Sequence, residues 1–376
     1  MIDGGVHLSL MIGPGLPAPA PADVIEALDS VQVTSSGQTS GFQLTFKVGK
    51  GSTLLNEMLP AGYFDPIITR VIIVATVNGQ PSVLMDGVIT RQEISPSNDV
   101  GKSTFTVTGE DLSRLMDLVE MPFMRYPAMP IIARVYAILA KYLVLGVAPV
   151  ALPPFILDVD LPIEKIPSQT GTDLQYIRQL ASGCGYVFYV EPGPLPGSSI
   201  AYFGPDIRLP VPQPALNVNL DAQSNVESLS FSFDGTAKKI VVMTVGDPVT
   251  RRVPIPIAVP NLSILRPPLG ARPPLPLRVE FPSDAMQLTV PEAINYALAI
   301  SLGATDAVTG NGSLDVLRYG QPLRSRMLVG VRGAGLAYDG LYYVNSVTHN
   351  LKRGEYKQNF SLSRDGLVSN TPVVAP

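Results

Sequence analysis

The chain has 376 residues, of which 46% are hydrophobic and only 15% are charged, and its formal net charge is −4. One cysteine and two histidines exclude an internal disulfide framework and a cysteine-based metal site, and they leave little for zinc chemistry. The acidic balance, without a basic run, disfavours nucleic-acid binding. Because soluble domains usually carry about 25% charged residues, we expect part of the surface to be buried against other chains.

A membrane protein is the other explanation of the mean hydropathy of +0.25. A spanning helix needs about 20 apolar residues in a row. The best candidate runs from Ile131 to Leu157, but it is interrupted by Lys141 and then by Pro149, Pro153 and Pro154. The N-terminus has no basic stretch before its apolar residues, so no secretory signal is expected. The sequence therefore predicts no direct membrane span.

Residues 1–112 are predicted to form a first β-barrel. The stretch GFQLTFKVG at 41–49 alternates apolar and polar residues with the period of a half-buried strand. Residues 68–90 contain two β-branched runs around Asn78-Gly79, which is a strong hairpin signal. The segment 102–111, with Phe105 and Val107, supplies a further strand.

Residues 113–210 are predicted to form an inserted α/β domain, with a short helical stretch (DLSRLMDLVE, 111–120) at its start. The segment 130–145 carries an apolar helical stripe made of Ile131, Ile132, Val135, Ile138, Leu139 and Tyr142. Thr172 is a candidate N-cap for a second helix that buries Leu174, Ile177, Leu180 and Ala181 and stops at Gly183. A strand is expected at 186–190, and residues 192–215 are expected to be an irregular connection.

The C-terminal part divides into three predicted units. Strands at 211–247, with a turn at Asp234-Gly235, are expected to return to the first barrel. Residues 248–289 include a proline-dense stretch (248–282), which predicts an extended arm because proline cannot donate to a central ladder. We hypothesise that this arm straps a neighbouring subunit. Residues 290–376, with a helix at 290–304 and strands at 314–368, are predicted to form a second β-barrel.

His349 is the first candidate for chemistry, because Asp339, Tyr342 and Tyr343 are close to it in the sequence. The alternation of Leu341, Tyr343, Val347 and Leu351 predicts that these residues share one strand face with His349. The partner strand carries Tyr356, Phe360 and Leu362, and Lys352-Arg353-Gly354 joins the two. A general base needs a nucleophile or an orienting carboxylate within reach. Asp339 lies at the far end of the strand, so we interpret His349 as structural.

Carboxylate pairs are the second candidate. Asp158 and Asp160 alternate onto one face of an extended segment, with Glu164 nearby, and such pairs serve glycoside hydrolysis or bind calcium. Their Pro- and Leu-rich surroundings favour solvated charges instead. The glycines of GVRGAGLAYDG at 330–340 precede a strand rather than a helix, so a turn is predicted and not a dinucleotide loop. Cys184 is interpreted as a small buried residue. No catalytic, cofactor-binding or metal residue is assigned.

The order of several weak motifs resembles one family. The strand Asp339–Val344, the histidine, the basic turn with Gly354 and Tyr356, and the closing Ser-Arg-Asp-Gly at 363–366 resemble the C-terminal barrel of baseplate hub proteins of contractile tails. This family comprises the phage late control protein D and the hub portion of type VI secretion spike proteins. The segment from TGEDLSRLMD to SQTGTDLQYIRQLASGCGYVFYV resembles the inserted region of the same family.

The resemblance implies a mainly β chain with an α/β insertion. It further implies two similar tube-forming β-barrel domains per chain, which make a pseudo-hexameric ring as a homotrimer. It implies a structural, non-enzymatic role that adapts the hexameric inner tube to the trimeric spike and nucleates tube assembly, without a cofactor. The implied partners are the spike protein, the inner tube protein and baseplate wedge components. Assembly is expected in the cytoplasm, as part of a phage-tail-like particle.

Two alternatives remain open at this stage. A cell-wall glycoside hydrolase associated with a tail would use Asp158, Asp160 or Glu164, and it would lose activity on Asp158→Asn. A stand-alone β-rich module that binds a surface would be a stable monomer.

Overall fold

The computed structural model describes residues 5–37, 39–99, 101–154, 166–208, 211–246, 254–258, 267–280 and 306–371. The acidic residues Asp158, Asp160 and Glu164 and the helix expected at 290–304 lie outside the described residues.

The N-terminal segment is built from antiparallel strands, as predicted. Its elements are β1 (Val6–Pro14), β2 (Ala18–Pro19), α1 (Ala22–Ala27), β3 (Leu28–Ser35), β4 (Ser40–Lys47), a π-helical turn (Leu54–Met58), β5 (Thr69–Val77), β6 (Gln80–Ser95) and β7 (Thr104–Asp111). The alternation in β4 is confirmed, since Phe42, Leu44 and Phe46 are buried and their neighbours are not. Asn78 and Gly79 form the tight turn between β5 and β6 with φ of 50° and 79°, which fits a hairpin turn of type I′.

The inserted segment packs two helices against a three-stranded sheet. It contains a 3-10 turn (Leu112–Asp117), α2 (Ile131–Leu139), a second 3-10 turn (Ala140–Leu145), β8 (Val147–Ala151), α3 (Asp173–Cys184), β9 (Val187–Pro192) and β10 (Ser199–Gly204). The sheet order is β8-β10-β9. None of the helices in the described part is long and apolar enough to cross a membrane.

Helix α3 begins at the predicted residue and ends two residues later than predicted. The Thr172 side chain accepts a hydrogen bond from the Gln175 backbone N–H, and the Gln175 side chain accepts one from the Thr172 N–H, which completes a capping box. Gly183 lies inside the helix, and the helix ends instead at Gly185, whose φ is 70°. The left-handed conformation needed at a helix C-terminus favours glycine, and either glycine satisfied the sequence pattern.

The C-terminal segment is again built mainly from strands. It comprises β11 (Gln213–Asn217), a 3-10 turn (Asp221–Gln223), β12 (Val226–Phe233), β13 (Lys239–Gly246), β14 (Pro254–Ala258), β15 (Gly270–Arg272), β16 (Arg278–Glu280), β17 (Val308–Asp315), α4 (Val316–Tyr319), β18 (Leu328–Arg332), β19 (Gly340–Lys352), β20 (Glu355–Arg364) and β21 (Leu367–Ser369).

Thirteen of the described strands join the two ends of the chain in one sheet. Its order is β12-β17-β20-β19-β3-β4-β7-β6-β5-β1-β2, and β18 pairs with β19 and with β11. The junction is the antiparallel pairing of β19 with β3, from Val347 opposite Ser35 to Lys352 opposite Ser30. One core cluster contains residues from both ends, including Val33 and Val347. The prediction of a mainly β chain with an α/β insertion is therefore confirmed.

Two predictions about the middle of the chain were wrong. The strands at 211–247 do not return to the first β unit, because β11 pairs with β18 and β12 pairs with β17 of the C-terminal segment. The connection expected at 192–215 contains β10 and the start of β11. Strand β10 gave no clear signal because it is short and flanked by prolines and glycines. Its pairing with β8 and β9 comes from tertiary structure.

The proline-rich stretch at 248–282 folds back in its described parts. Strand β14 pairs antiparallel with β13, β16 pairs parallel with β13, and β15 pairs antiparallel with β21. The extended arm predicted from its proline content is therefore partly paired with its own chain. Short edge strands tolerate proline because one side of the strand needs no ladder hydrogen bonds.

Candidate functional site

The hairpin of β19 and β20 is the stretch that the sequence singled out. Arg353 and Gly354 form the predicted turn, with a φ of 78° at Gly354. The register shifts between Val344 and Ser346, where β19 bulges. A bulge reverses which face the following side chains occupy. Leu341 and Tyr343 therefore pack with Leu269 and Leu328, away from His349, and their predicted place on the same face was wrong.

His349 is a buried residue of this hairpin, as interpreted from the sequence. Its Nδ1 lies 2.7 Å from the Tyr356 hydroxyl and 3.0 Å from Gln358 Nε2. Burial, with a smaller contribution from the positive charge of Arg324, lowers the pKa of His349 to about 3. Asp339 accepts a hydrogen bond from the Ala334 N–H instead of orienting the imidazole. Burial keeps the ring neutral, and a tyrosine and an amide fix its orientation.

Arg364, in the Ser-Arg-Asp-Gly motif, is completely buried. Its guanidinium donates to the carbonyls of Gly366, Asp339 and Ala337 at 2.7–2.8 Å and stacks 4.4 Å from the Tyr342 ring centroid. Burial lowers the pKa of Arg364. The motif thus fastens the turn at 333–339, which is a strand connection as predicted, to the end of β20.

Asp365 and Gly366 continue the same fastening. Asp365 Oδ1 accepts the backbone N–H groups of Leu269 and Gly270 at 2.8 and 2.9 Å. A Cβ atom added to Gly366 would lie 2.7 Å from the carbonyl of Arg272. Only glycine permits this approach of the two backbones. The motif therefore anchors residues 269–272 of the proline-rich stretch. This structural role explains the residue types of the motif without any catalytic role.

A second polar joint connects the inserted segment to the C-terminal strands. Arg208 pairs with Asp306 through two hydrogen bonds of 2.8 Å, and its guanidinium lies 4.5 Å from the Tyr343 ring centroid. Ser363 also donates to Asp306, and the Tyr343 hydroxyl donates to Asp206 at 2.7 Å. Burial alone would lower the pKa of Arg208, but the hydrogen bonds to Asp306 and the negative charges of Asp306 and Asp206 together raise it.

A third joint connects the inserted segment to the N-terminal sheet. The buried pair of Arg70 and Asp86 makes two hydrogen bonds of 2.7 Å between β5 and β6. Arg70 also donates to the carbonyl of Gly197, and the Ser199 hydroxyl donates to Asp86. Counting residues outward from Asn78-Gly79 pairs Arg70 with Gly87 and would have put Asp86 on the opposite face of the hairpin. The register shift between Ile73 and Val74 brings Arg70 and Asp86 to the same face. Arg208 and Asp306 are 98 residues apart in sequence, so no local signal could have paired them.

Reactive and metal-binding groups are few in the described ranges. No group of three His, Cys, Asp or Glu side chains among these residues is placed to hold a metal ion. Cys184 is buried as predicted, and burial raises the pKa of its thiol to about 11. A thiol that stays protonated at neutral pH is a weak nucleophile.

Two exposed features suit contact with other chains. Strand β12 ends the large sheet, and it pairs with β17 alone among the described strands. Such an edge offers unpaired backbone groups to a further strand. On the inserted segment, residues 118–126 lie against 166–172 through bridges at Glu120–Thr172 and Arg125–Ser168. The exposed apolar residues of this double segment are Leu118, Val119, Phe123, Met124 and Ile166.

Solved structures that are similar to this one include tail proteins and type VI secretion proteins. No family model and no curated protein matches the sequence. A tail protein from Neisseria meningitidis superposes with a TM-score of 0.64 and 15% identity, covering 99% of this chain and 100% of the other. This chain has a tail-protein fold. The resemblance predicted from the sequence is thereby confirmed at the level of the fold.

Two further structures extend the likeness. The E. coli c3393 protein, described as a type VI secretion component similar to the T4 tail proteins gp27 and gp5, has a TM-score of 0.53 and 11% identity. The alignment covers 93% of this chain and 77% of that one. A chain of the Francisella PdpA–VgrG complex has a TM-score of 0.58 and 10% identity, and all of this chain covers 55% of it. These neighbours are described as tail and secretion proteins.

Proposed function

We propose that this chain is the structural hub of a contractile, phage-tail-like injection particle. The observation that carries the proposal is the end-to-end likeness to a tail protein, in which almost all of both chains superpose. The polar groups described above support a mechanical role, because Arg364, Arg208 and Arg70 each hold two segments of the chain together. No catalytic step and no cofactor is part of the proposal.

The working form in this proposal is a homotrimer. Each chain contributes two β units, one from the N-terminal strands and one from the C-terminal strands, so three chains present six units in a pseudo-hexameric ring. A ring of identical chains needs heterologous contacts between different patches. The open edge of β12 supplies one such patch, and the low charge content of 15% agrees with extensive burial between chains.

The proposed partners follow from this form. One side of the ring receives the hexameric inner tube and nucleates its assembly, and the other side holds the trimeric spike until contraction. Wedge components of the baseplate bind around the outside. The likeness to a chain of the PdpA–VgrG complex supports a position next to the spike. The chain is assembled in the cytoplasm as part of the particle.

Electron micrographs of the purified protein test the ring directly. We expect class averages of a closed ring with three-fold symmetry, six β units and a lumen of tube width. Addition of the cognate inner tube protein should then produce tubes that start from one face of the ring. Class averages that show a single compact chain, or tubes that grow equally well without the ring, would contradict the proposal.

A further inference from the structure

A polar cleft lies where the N-terminal sheet, the inserted segment and the C-terminal segment meet. Its volume is about 200 Å³, and it is lined by the end of β3, the start of β6, the middle of β9 and residues 322–327. Its lining includes the side chains of Ser82, Tyr189, Glu191, Arg324, Arg326 and His349. The cleft is separate from the Ser-Arg-Asp-Gly motif at 363–366, from the Arg208–Asp306 pair and from the Arg70–Asp86 pair, none of which lines it.

His349 presents an N–H group to the cleft. The amide of Gln358 is fixed in orientation, because its Oε1 accepts the Leu323 N–H at 2.9 Å and its Nε2 donates to the Leu323 carbonyl at 3.0 Å. The same Nε2 lies 3.0 Å from His349 Nδ1, so Nδ1 must accept a hydrogen bond. The neutral ring therefore carries its proton on Nε2. Since His349 lines the cleft and its Nδ1 is taken up by Gln358 and Tyr356, the Nε2–H is the polar group of the ring that is left for the cleft.

Arg324 supplies further donors, because the Arg326 guanidinium already donates to the Ser35 hydroxyl and the Ser36 carbonyl. The Arg326 guanidinium lies 4.0 Å from the Tyr189 ring centroid, and its Nη1 is 3.6 Å from Glu191 Oε2. Arg324 is exposed, and its one side-chain hydrogen bond in the described part is a 3.5 Å contact with Ser82 Oγ. The Gln213 side chain pairs with both backbone polar groups of Arg324 at 2.8 and 2.9 Å, which fixes the position from which Arg324 extends.

The charge of the cleft selects the class of ligand. Glu191 lies next to Arg326, so the charge of Arg324 is the one that no acidic side chain of the lining compensates, and the neutral His349 adds none. A single carboxylate matches this one positive charge and accepts from several N–H donors at once, whereas a phosphate dianion carries a second negative charge that the cleft does not balance. The cleft is large enough for a carboxylate with a short aliphatic stem.

We propose that this cleft binds one carboxylate group, held by Arg324 and by the Nε2–H of His349. The carboxylate belongs either to a small organic acid or to an acidic side chain of a peptide, and the chemistry of recognition is the same in both cases. A carboxylate bound in this cleft would lie at the junction of three segments of the fold.

The presence of only two histidines makes the test direct. In protein labelled with ¹⁵N-histidine, the ring nitrogens of His349 and of the exposed His7 can be followed separately. Propionate, the peptide N-acetyl-glutamyl-methylamide and inorganic phosphate are titrated at constant ionic strength and about pH 8, where inorganic phosphate is mainly the dianion. We expect the Nε2–H tautomer at His349, a saturable shift of its Nε2 signal with both carboxylates and none with phosphate, and no such shift at His7.

Variants identify the binding group. Arg324→Gln should weaken carboxylate binding about tenfold, the effect of one lost charge-assisted hydrogen bond. Arg318→Gln removes the same charge at an exposed residue outside the cleft and should leave binding unchanged. Tighter binding of the peptide identifies a protein source, and equal binding identifies a small acid. An Nδ1–H tautomer, an equal response to phosphate, or binding that survives Arg324→Gln would overturn the proposal.

Discussion

Arg364 is the buried cation of the Ser-Arg-Asp-Gly motif, and its hydrogen bonds go to three backbone carbonyls. The planar guanidinium reaches all three at once and stacks on Tyr342, which a lysine ammonium cannot do. Replacing Arg364 by lysine therefore leaves buried carbonyls unpaired. This cost falls on the folded state and not on the unfolded chain.

We predict that Arg364→Lys lowers the free energy of unfolding by about 3 kcal/mol. Chemical denaturation followed by circular dichroism measures the change. The matched control is Arg91→Lys, at a largely exposed arginine, which should change stability by less than about 0.5 kcal/mol. Equal effects of the two substitutions would show that the buried carbonyl contacts contribute nothing specific.

His349 predicts a pH dependence of stability. Its pKa is about 3 in the folded protein, below the value near 6.5 of an unfolded chain. The unfolded state therefore takes up a proton first as the pH falls through 6.5, and stability is lost from there toward pH 3. One proton accounts for about 2 kcal/mol between pH 6.5 and pH 5.

Comparison of variants isolates this contribution. His349→Gln should reduce the loss of unfolding free energy between pH 6.5 and pH 5 by about 2 kcal/mol. His7→Gln, at the exposed histidine, should leave the pH profile as it is. If the two variants have the same profile, His349 is not held neutral by the fold.

At the scale of elements, local sequence signals predicted what local physics decides. The alternation of Phe42, Leu44 and Phe46, the Asn78-Gly79 turn and the Thr172 cap are each set by neighbours within a few residues. The sequence signals failed where pairing with a distant segment of the chain determines the structure. The bulge near Asn345 reversed the face of Tyr343, and the partners of β11 and β12 are about 80 or more residues along the chain.

A substitution at the open edge of β12 tests the proposed contact between subunits. Ser232 on β12 lies opposite Thr309 on β17, and both are exposed. We predict that Ser232→Lys leaves the fold intact but weakens assembly, because a charge at an edge opposes pairing with a further strand. Analytical ultracentrifugation as a function of concentration measures the association.

Thr309→Lys is the matched control, since it places the same charge opposite the edge residue but on a strand that is already paired on both sides. We expect it to assemble more strongly than Ser232→Lys. If both variants assemble as strongly as the unmodified chain, β12 is not part of the interface.

At the scale of the whole molecule, the fold could be predicted from the sequence because several weak motifs follow one another in a recognisable order. The 363–366 motif is recognisable because each of its residues has a fixed structural role. Ser363 donates and Asp365 accepts hydrogen bonds at the joints, and Arg364 and Gly366 fasten the ends of strands. What the sequence could not predict is the joining of both β units in one sheet through β19 and β3. That pairing connects residues more than 300 positions apart.

The mass of the purified assembly is the most direct test of a trimeric hub. Native mass spectrometry of the 40.1 kDa chain, alone and with the cognate spike protein, measures the number of copies. A trimeric hub predicts a particle of three chains that gains one trimeric spike and no further copies of itself. A monomer that stays monomeric at assembly concentrations, with or without the spike, would contradict the account.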